Sequence, residues 1–149
     1  MRSPNVAFFP RPPQTDVGYR GPMKGLLLIP ALNEEFSIGQ VVRGAKTRIP
    51  DILVVDDGSS DATQTAAASA GAIVLRLETN MGKGEALKVG FRYALAHNCD
   101  WVVTMDGDGQ HDPQDLDNFL PLLGRYDLLL GNRMEDEARV PLLRRAANL

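Results

Sequence analysis

Residues 24–49, KGLLLIPALNEEFSIGQVVRGAKTRI, change their apolar period partway along. Lys24–Ile29 is a short, nearly uninterrupted apolar run, the pattern of a strand buried on both faces. From Ile38 onward the apolar residues space out, and Ile38, Val41, Val42, Ala45 and Ile49 follow the i, i+3, i+4, i+7, i+11 series of one helical face. PALNEE (Pro30–Glu35) joins the two. Strand, loop and helix in this order open a βαβ unit, whose next strand runs parallel to the first.

The rest of the chain repeats the alternation. Ile52–Val55, Ile73–Leu77, Trp101–Met105 and Tyr126–Leu130 are further short apolar runs, so five strands are expected. Leu87, Phe91, Ala94 and Leu95 keep helical spacing, as do Leu116, Phe119, Leu120 and Leu123. Asp61 with Gln64 resembles a capping box, and Gly71 closes the alanine-rich helix that follows. Asp112, Pro113 and Gly124 fit the N-cap, first turn and C-terminus of the fourth helix. The expected fold is α/β, three-layer and Rossmann-like, with a mostly parallel sheet and helices on both faces. Ligands of such sheets bind beyond the carboxyl ends of the strands. The loops PALNEE, DDGSSD, ETNMGKG, DGDGQHD and GNR are therefore expected on one rim.

Composition narrows the partners. With 149 residues, 44% apolar and 23% charged, the chain has the make-up of one globular domain, and a net charge of −3 gives no electrostatic reason to expect nucleic acid. A lone cysteine, Cys99, makes no internal disulfide and reads as a half-buried small apolar residue before a strand. No apolar run approaches the ~18 to 20 residues that span a bilayer. Residues 1–22 carry five of the ten prolines and read as an extended or disordered leader, with the domain occupying 23–149.

Nearly all the unusual chemistry falls in the rim loops. Asp106 and Asp108 are two apart at a strand end, so both carboxylates can share a face, and hard oxygen ligands at that spacing suit Mg²⁺ or Mn²⁺. A solvated turn is the plain alternative. Asp56 and Asp57 are more acid than a helix cap requires and can accept hydrogen bonds from a base or ribose. Asn80–Gly84 (NMGKG) puts Lys83 just before a helix, within reach of a diphosphate or of solvent. His111 reads as a hydrogen-bonding loop residue, and His97 as a complement to a helix C-terminus.

Taken together, PALNEE (30–35), VVDDGSSDAT (54–63), NMGKGEAL (80–87), TMDGDGQHDP (104–113) and GNR (131–133) resemble the ordered motifs of family 2 glycosyltransferases. The resemblance covers residues 24–149 and is strongest to the branch of dolichyl-phosphate mannose synthases and bacterial polyprenyl-phosphate glycosyltransferases. It implies the GT-A fold, a nucleotide-diphosphate-sugar donor, inversion at the anomeric carbon and a polyprenyl or dolichyl phosphate as acceptor. By residue it implies donor contacts from Pro30, Leu32, Glu34, Asp56, Asp57, Lys83 and Asp106. It further implies a metal site at Asp106 and Asp108 with Gln110 as a further ligand, and Arg133 beside Lys83 at the diphosphate. Asp106, Asp108 and Arg133 are the expected catalytic residues.

The family pattern continues past GNR, whereas this chain stops at Leu149. Val140–Leu149, with Arg139 before it, reads either as a membrane-surface helix or as a solvated helix with a buried face. The expected location is cytoplasmic, peripheral at the membrane face if the former holds. Two other functions stay open: a donor-binding module without transfer activity, and a phosphohydrolase with Asp106 as nucleophile and Asp108 as acid or base. A homo-oligomer is one way to supply missing acceptor contacts.

Overall fold

A computed structural model of the chain describes residues 6–10, 23–123 and 126–131. In chain order the elements begin with β1 (Val6–Pro10), β2 (Gly25–Ala31), α1 (Ile38–Lys46), β3 (Ile52–Asp56), α2 (Thr63–Ser69) and β4 (Ile73–Arg76). They continue with α3 (Lys83–Ala96), β5 (Trp101–Thr104), α4 (Leu116–Phe119) and β6 (Tyr126–Gly131). The chain divides into two compact units, Gly18–Leu120 and a second made of Met1–Val17 with Pro121–Leu149.

In the larger unit four strands form a wholly parallel sheet in the order β4-β3-β2-β5. Strands bury alternate residues on opposite faces, and here both faces are covered. Leu27, Ile29, Ile52 and Val54 pack with Ile38, Val42 and Leu116 on one side, beneath α1, α2 and α4. Leu26, Leu28, Leu53 and Val55 pack with Ala86 and Ala94 of α3 on the other. This is why the LLLI and ILVV runs carry no polar alternation. Contact with α3 is close: a Cβ on Gly90 would lie 2.2 Å from Leu28 Cδ1, so the helix rests on the sheet through a missing side chain. Cys99 is half-buried and packs on the α3 side, as its sequence context suggests.

From β2 the chain winds through β3 to β4 on one side, then crosses by α3 to place β5 against the other edge of β2. The direction of winding reverses between β2 and β5, and a crevice opens at their carboxyl ends. PALNEE and DGDGQHD leave the sheet at that point.

Two local expectations need correction. The fourth helix was expected to be continuous, but only Leu116–Phe119 is α-helical, between 3-10 turns at Pro113–Asp115 and Leu120–Leu122. Pro121 has no N–H to donate to the preceding turn, which accounts for the break. Asp112 Oδ1 does accept the Gln114 N–H at 2.9 Å, with Pro113 following, as expected of that N-cap. Asp61 and Gln64 form no capping box, because Gln64 Oε1 accepts from Arg76 instead.

The fifth apolar run does not join the parallel sheet. In the smaller unit β6 pairs antiparallel with β1, with Ala7 opposite Leu130 and Phe8 opposite Leu129. Val6–Pro10, within the stretch read as an extended or disordered leader, forms β1. Gly124, Arg133 and Val140–Leu149 lie outside the described residues.

Candidate functional site

Two of the rim loops are tied to each other before any ligand is considered. The N–H groups of Asn33, Glu34 and Glu35 donate to Ser59 Oγ (2.9 Å), Thr63 Oγ1 (2.7 Å) and Asp61 Oδ2 (3.1 Å). The pairing is returned: Ser60 and Ala62 donate their N–H groups to Asn33 Oδ1 (2.9 Å) and Glu35 Oε2 (3.0 Å). Burial pushes the Asp61 carboxyl up, but hydrogen bonds from the Thr63 hydroxyl and N–H and from Glu35 outweigh it and hold the group below the usual carboxylate range. PALNEE and DDGSSDAT are therefore one structural piece.

The two acids at the end of β3, Asp56 and Asp57, are buried. Asp57 is only 3% exposed, and its Oδ1 and Oδ2 accept the N–H groups of Met81 and Gly82, both at 2.8 Å. A carboxylate taking two backbone donors fixes the NMGKG loop, whatever else it touches. Asp56 is fully buried, accepts from Ser59 N–H at 2.9 Å through Oδ1, and has Oδ2 at 3.9 Å from Arg76 Nε. It holds the turn after β3 and does not line the cavity described below.

Held by Asp57, Gly82 takes φ +91° and caps α3, so Lys83 is the first helical residue. Its Nζ reaches Asp106 Oδ1 at 2.6 Å, across to the loop after β5. In that loop His111 Nδ1 accepts the Asp106 N–H at 3.1 Å, a loop hydrogen bond of the kind expected. Asp108 Oδ1 accepts the Gln110 N–H at 2.9 Å. Gly107 is buried, and a Cβ there would press on Ile38, Ile29 and Ala31. Ser37, unremarked in the sequence, links the first and fourth rim loops. Its Oγ is 2.8 Å from both Glu34 Oε2 and Gly107 O. A serine just before an amphipathic helix signals an N-cap, yet this side chain caps nothing in α1. His97 ends α3, with Nδ1 2.8 Å from Tyr93 O.

These loops enclose a cavity of about 420 Å³, inside the ~300 to 1,000 Å³ span of small-molecule sites. Pro30, Leu32 and Glu34 line it from the first loop, and Asp57 from the second. Asn80 and Lys83 line the third side, and Asp106, Gly107 and Asp108 the fourth. Seven sequence-predicted residues, Pro30, Leu32, Glu34, Asp57, Lys83, Asp106 and Asp108, thus meet around one space. Asp56 and Gln110 do not line it, and Arg133 lies outside the described residues.

Among the described residues no three His, Cys, Asp or Glu side chains converge as a metal-binding group. Asp106 and Asp108 still offer two hard carboxylates to one cavity. That fits an ion such as Mg²⁺ or Mn²⁺, which takes one or two protein carboxylates and completes its shell with water and substrate phosphate. Among the described residues no helix is long and apolar enough to cross a membrane.

Comparison with known proteins gives a consistent picture. The family model described as "Glycosyl transferase family 2" matches residues 27–148. The undecaprenyl-phosphate mannosyltransferase of Micrococcus luteus is 37% identical over 118 residues, covering 74% of this chain and 49% of the relative. The UDP-N-acetylglucosamine–dolichyl-phosphate N-acetylglucosaminyltransferase of Methanococcus voltae is 30% identical, covering 83% of this chain and 58% of the relative. Among solved structures, glucosyl-3-phosphoglycerate synthase from Mycobacterium tuberculosis, in complex with Mn²⁺, UDP and glucosyl-3-phosphoglycerate, superimposes with a TM-score of 0.56. That pair is 31% identical over 68% of this chain and 39% of the other. This chain spans about half the length of the curated relatives it matches.

Proposed function

Because the chain belongs to glycosyl transferase family 2, we propose that the cavity at the β2/β5 crevice binds a nucleotide-diphosphate-sugar donor together with a divalent cation. The whole protein would transfer the sugar, with inversion, to a polyprenyl-phosphate acceptor. One observation carries the donor half: four of the five motifs meet around a single cavity, which Lys83, Asp106 and Asp108 line together. The acceptor class is supported by relatives named for undecaprenyl and dolichyl phosphates. A lipid acceptor would bring the protein to the cytoplasmic face of a membrane.

The chemistry follows from charge. Breaking the bond between sugar and phosphate leaves negative charge on the departing diphosphate, and preorganised positive groups at that spot lower the barrier. Asp106 and Asp108 would hold Mg²⁺ or Mn²⁺, and Gln110, through its own side chain, is a proposed further ligand; the bound ion supplies Lewis-acid neutralisation of the leaving group. Lys83 adds an ammonium at the α3 N-terminus, where the helix dipole also favours an anion. Arg133 is carried here on its motif alone. Pro30 and Leu32 would offer an apolar wall to the base, and Glu34 and Asp57, which line the same cavity, would offer acceptors. A phosphate acceptor arrives ionised, so the transfer needs no strong base.

Asp108→Ala tests the assignment. Metal-dependent stabilisation by donors should vanish in a thermal-shift screen with and without Mn²⁺, while the variant keeps its ligand-free melting temperature. Unchanged nucleotide and metal affinity would refute the site. Donor binding without transfer to a polyprenyl phosphate would assign the chain a binding role only.

A further inference from the structure

The cavity is acidic before it is anything else. Four carboxylates line it, those of Glu34, Asp57, Asp106 and Asp108, and among the described lining residues Lys83 is the one cation. That ammonium is already engaged, 2.6 Å from Asp106 Oδ1. A diphosphate entering this space would meet a surplus of negative charge and a lysine committed elsewhere.

The lysine is nevertheless built to let go. Its side chain is 60% exposed, and ion pairs at such positions are weak. It stands between Gly82 and Gly84, and a Cβ added to either glycine would find nothing within 4 Å, so the first turn of α3 is uncrowded on both sides of Lys83. The backbone beneath is fixed by Asp57 through Met81 and Gly82. The head group can move while its base stays in place.

We propose that Lys83 is a resident counter-ion of Asp106, which a divalent cation displaces, releasing the ammonium to the diphosphate of the incoming donor. The inference rests on the donor-site assignment above and adds a coupling to it. Lys83 opposes the metal when no donor is present and supports the donor once the metal is bound, so the two ligands bind cooperatively.

Opposite signs in two measurements test this. Mn²⁺ binding to the full chain without nucleotide is measured by calorimetry and by electron paramagnetic resonance for wild type, Lys83→Met and Lys88→Met. Lys88 lies on the same helix, exposed and paired with Glu85, and serves as the charge-matched control. Lys83→Met should bind Mn²⁺ about two- to fivefold more tightly than wild type, the scale of a lost exposed ion pair, with Lys88→Met close to wild type. Inorganic pyrophosphate, measured at saturating Mn²⁺, should bind more weakly to Lys83→Met. Equal or weaker Mn²⁺ binding in Lys83→Met overturns the counter-ion role while leaving the metal site standing. Equal tightening in both variants overturns it too, since the effect would then be long-range charge. Absence of Mn²⁺ binding in wild type and variant alike removes the metal site itself and the proposal with it.

Discussion

Replacing Asp57 by asparagine separates two roles that the same carboxylate could play. In the structure its oxygens accept two backbone N–H groups, from Met81 and Gly82, each at 2.8 Å, and the side chain is 3% exposed. Asparagine keeps one acceptor but turns an NH₂ group toward the other donor. One charge-assisted bond is lost, at a cost of about 2 kcal/mol. With a urea m-value of about 1.5 kcal/mol/M, the midpoint of the ligand-free protein should fall by about 1.3 M. Asp57→Ala leaves both donors unsatisfied and should fall further, by about 3 kcal/mol in all. The assay is urea unfolding followed by circular dichroism, without nucleotide or metal. An unchanged midpoint for Asp57→Asn, accompanied by lost nucleotide affinity, would refute the reasoning: the carboxylate would then serve the donor and not the loop.

Gly90→Ala should lower stability although alanine is the better helix former. The propensity gain of about 1 kcal/mol is opposed by an overpacking cost of about 1 to 3 kcal/mol, because the new Cβ would lie 2.2 Å from Leu28 Cδ1. A net loss near 1 kcal/mol should lower the melting temperature by about 3 to 5 °C, and a rise would show that α3 shifts freely. Asp61 is held below its usual carboxylate range, so its contribution is fully present above about pH 4 and is lost as pH falls through the lower folded-state value. Asp61→Asn should therefore be less stable than wild type at neutral pH and should lose less on acidification. Parallel pH–stability curves for the two proteins would contradict this.

How much of this was legible in the chain differs from element to element. The parallel core was plain, because Leu26–Ile29 and Ile52–Val55 are buried on both faces and so show unbroken apolar runs. Strand β1 was not: its partner β6 lies more than a hundred residues away, and the prolines around it argued for a leader. Motif order brought seven of the expected site residues to one cavity. What the motifs did not reveal is what each side chain is bonded to. Asp57 looks like an acceptor in any reading, but its donors, Met81 and Gly82, become visible only once the third loop folds back over it. The same holds for Lys83 and Asp106, whose contact depends on α3 crossing the sheet.

The reciprocal bonding between residues 33–35 and 59–63 bears on how this site can be re-engineered. Each loop supplies the other with hydrogen-bond partners, so transplanting one alone into a related scaffold would strand donors on both sides. The two segments behave as a single cassette, whose hydrogen bonds survive a transplant only when both are moved together.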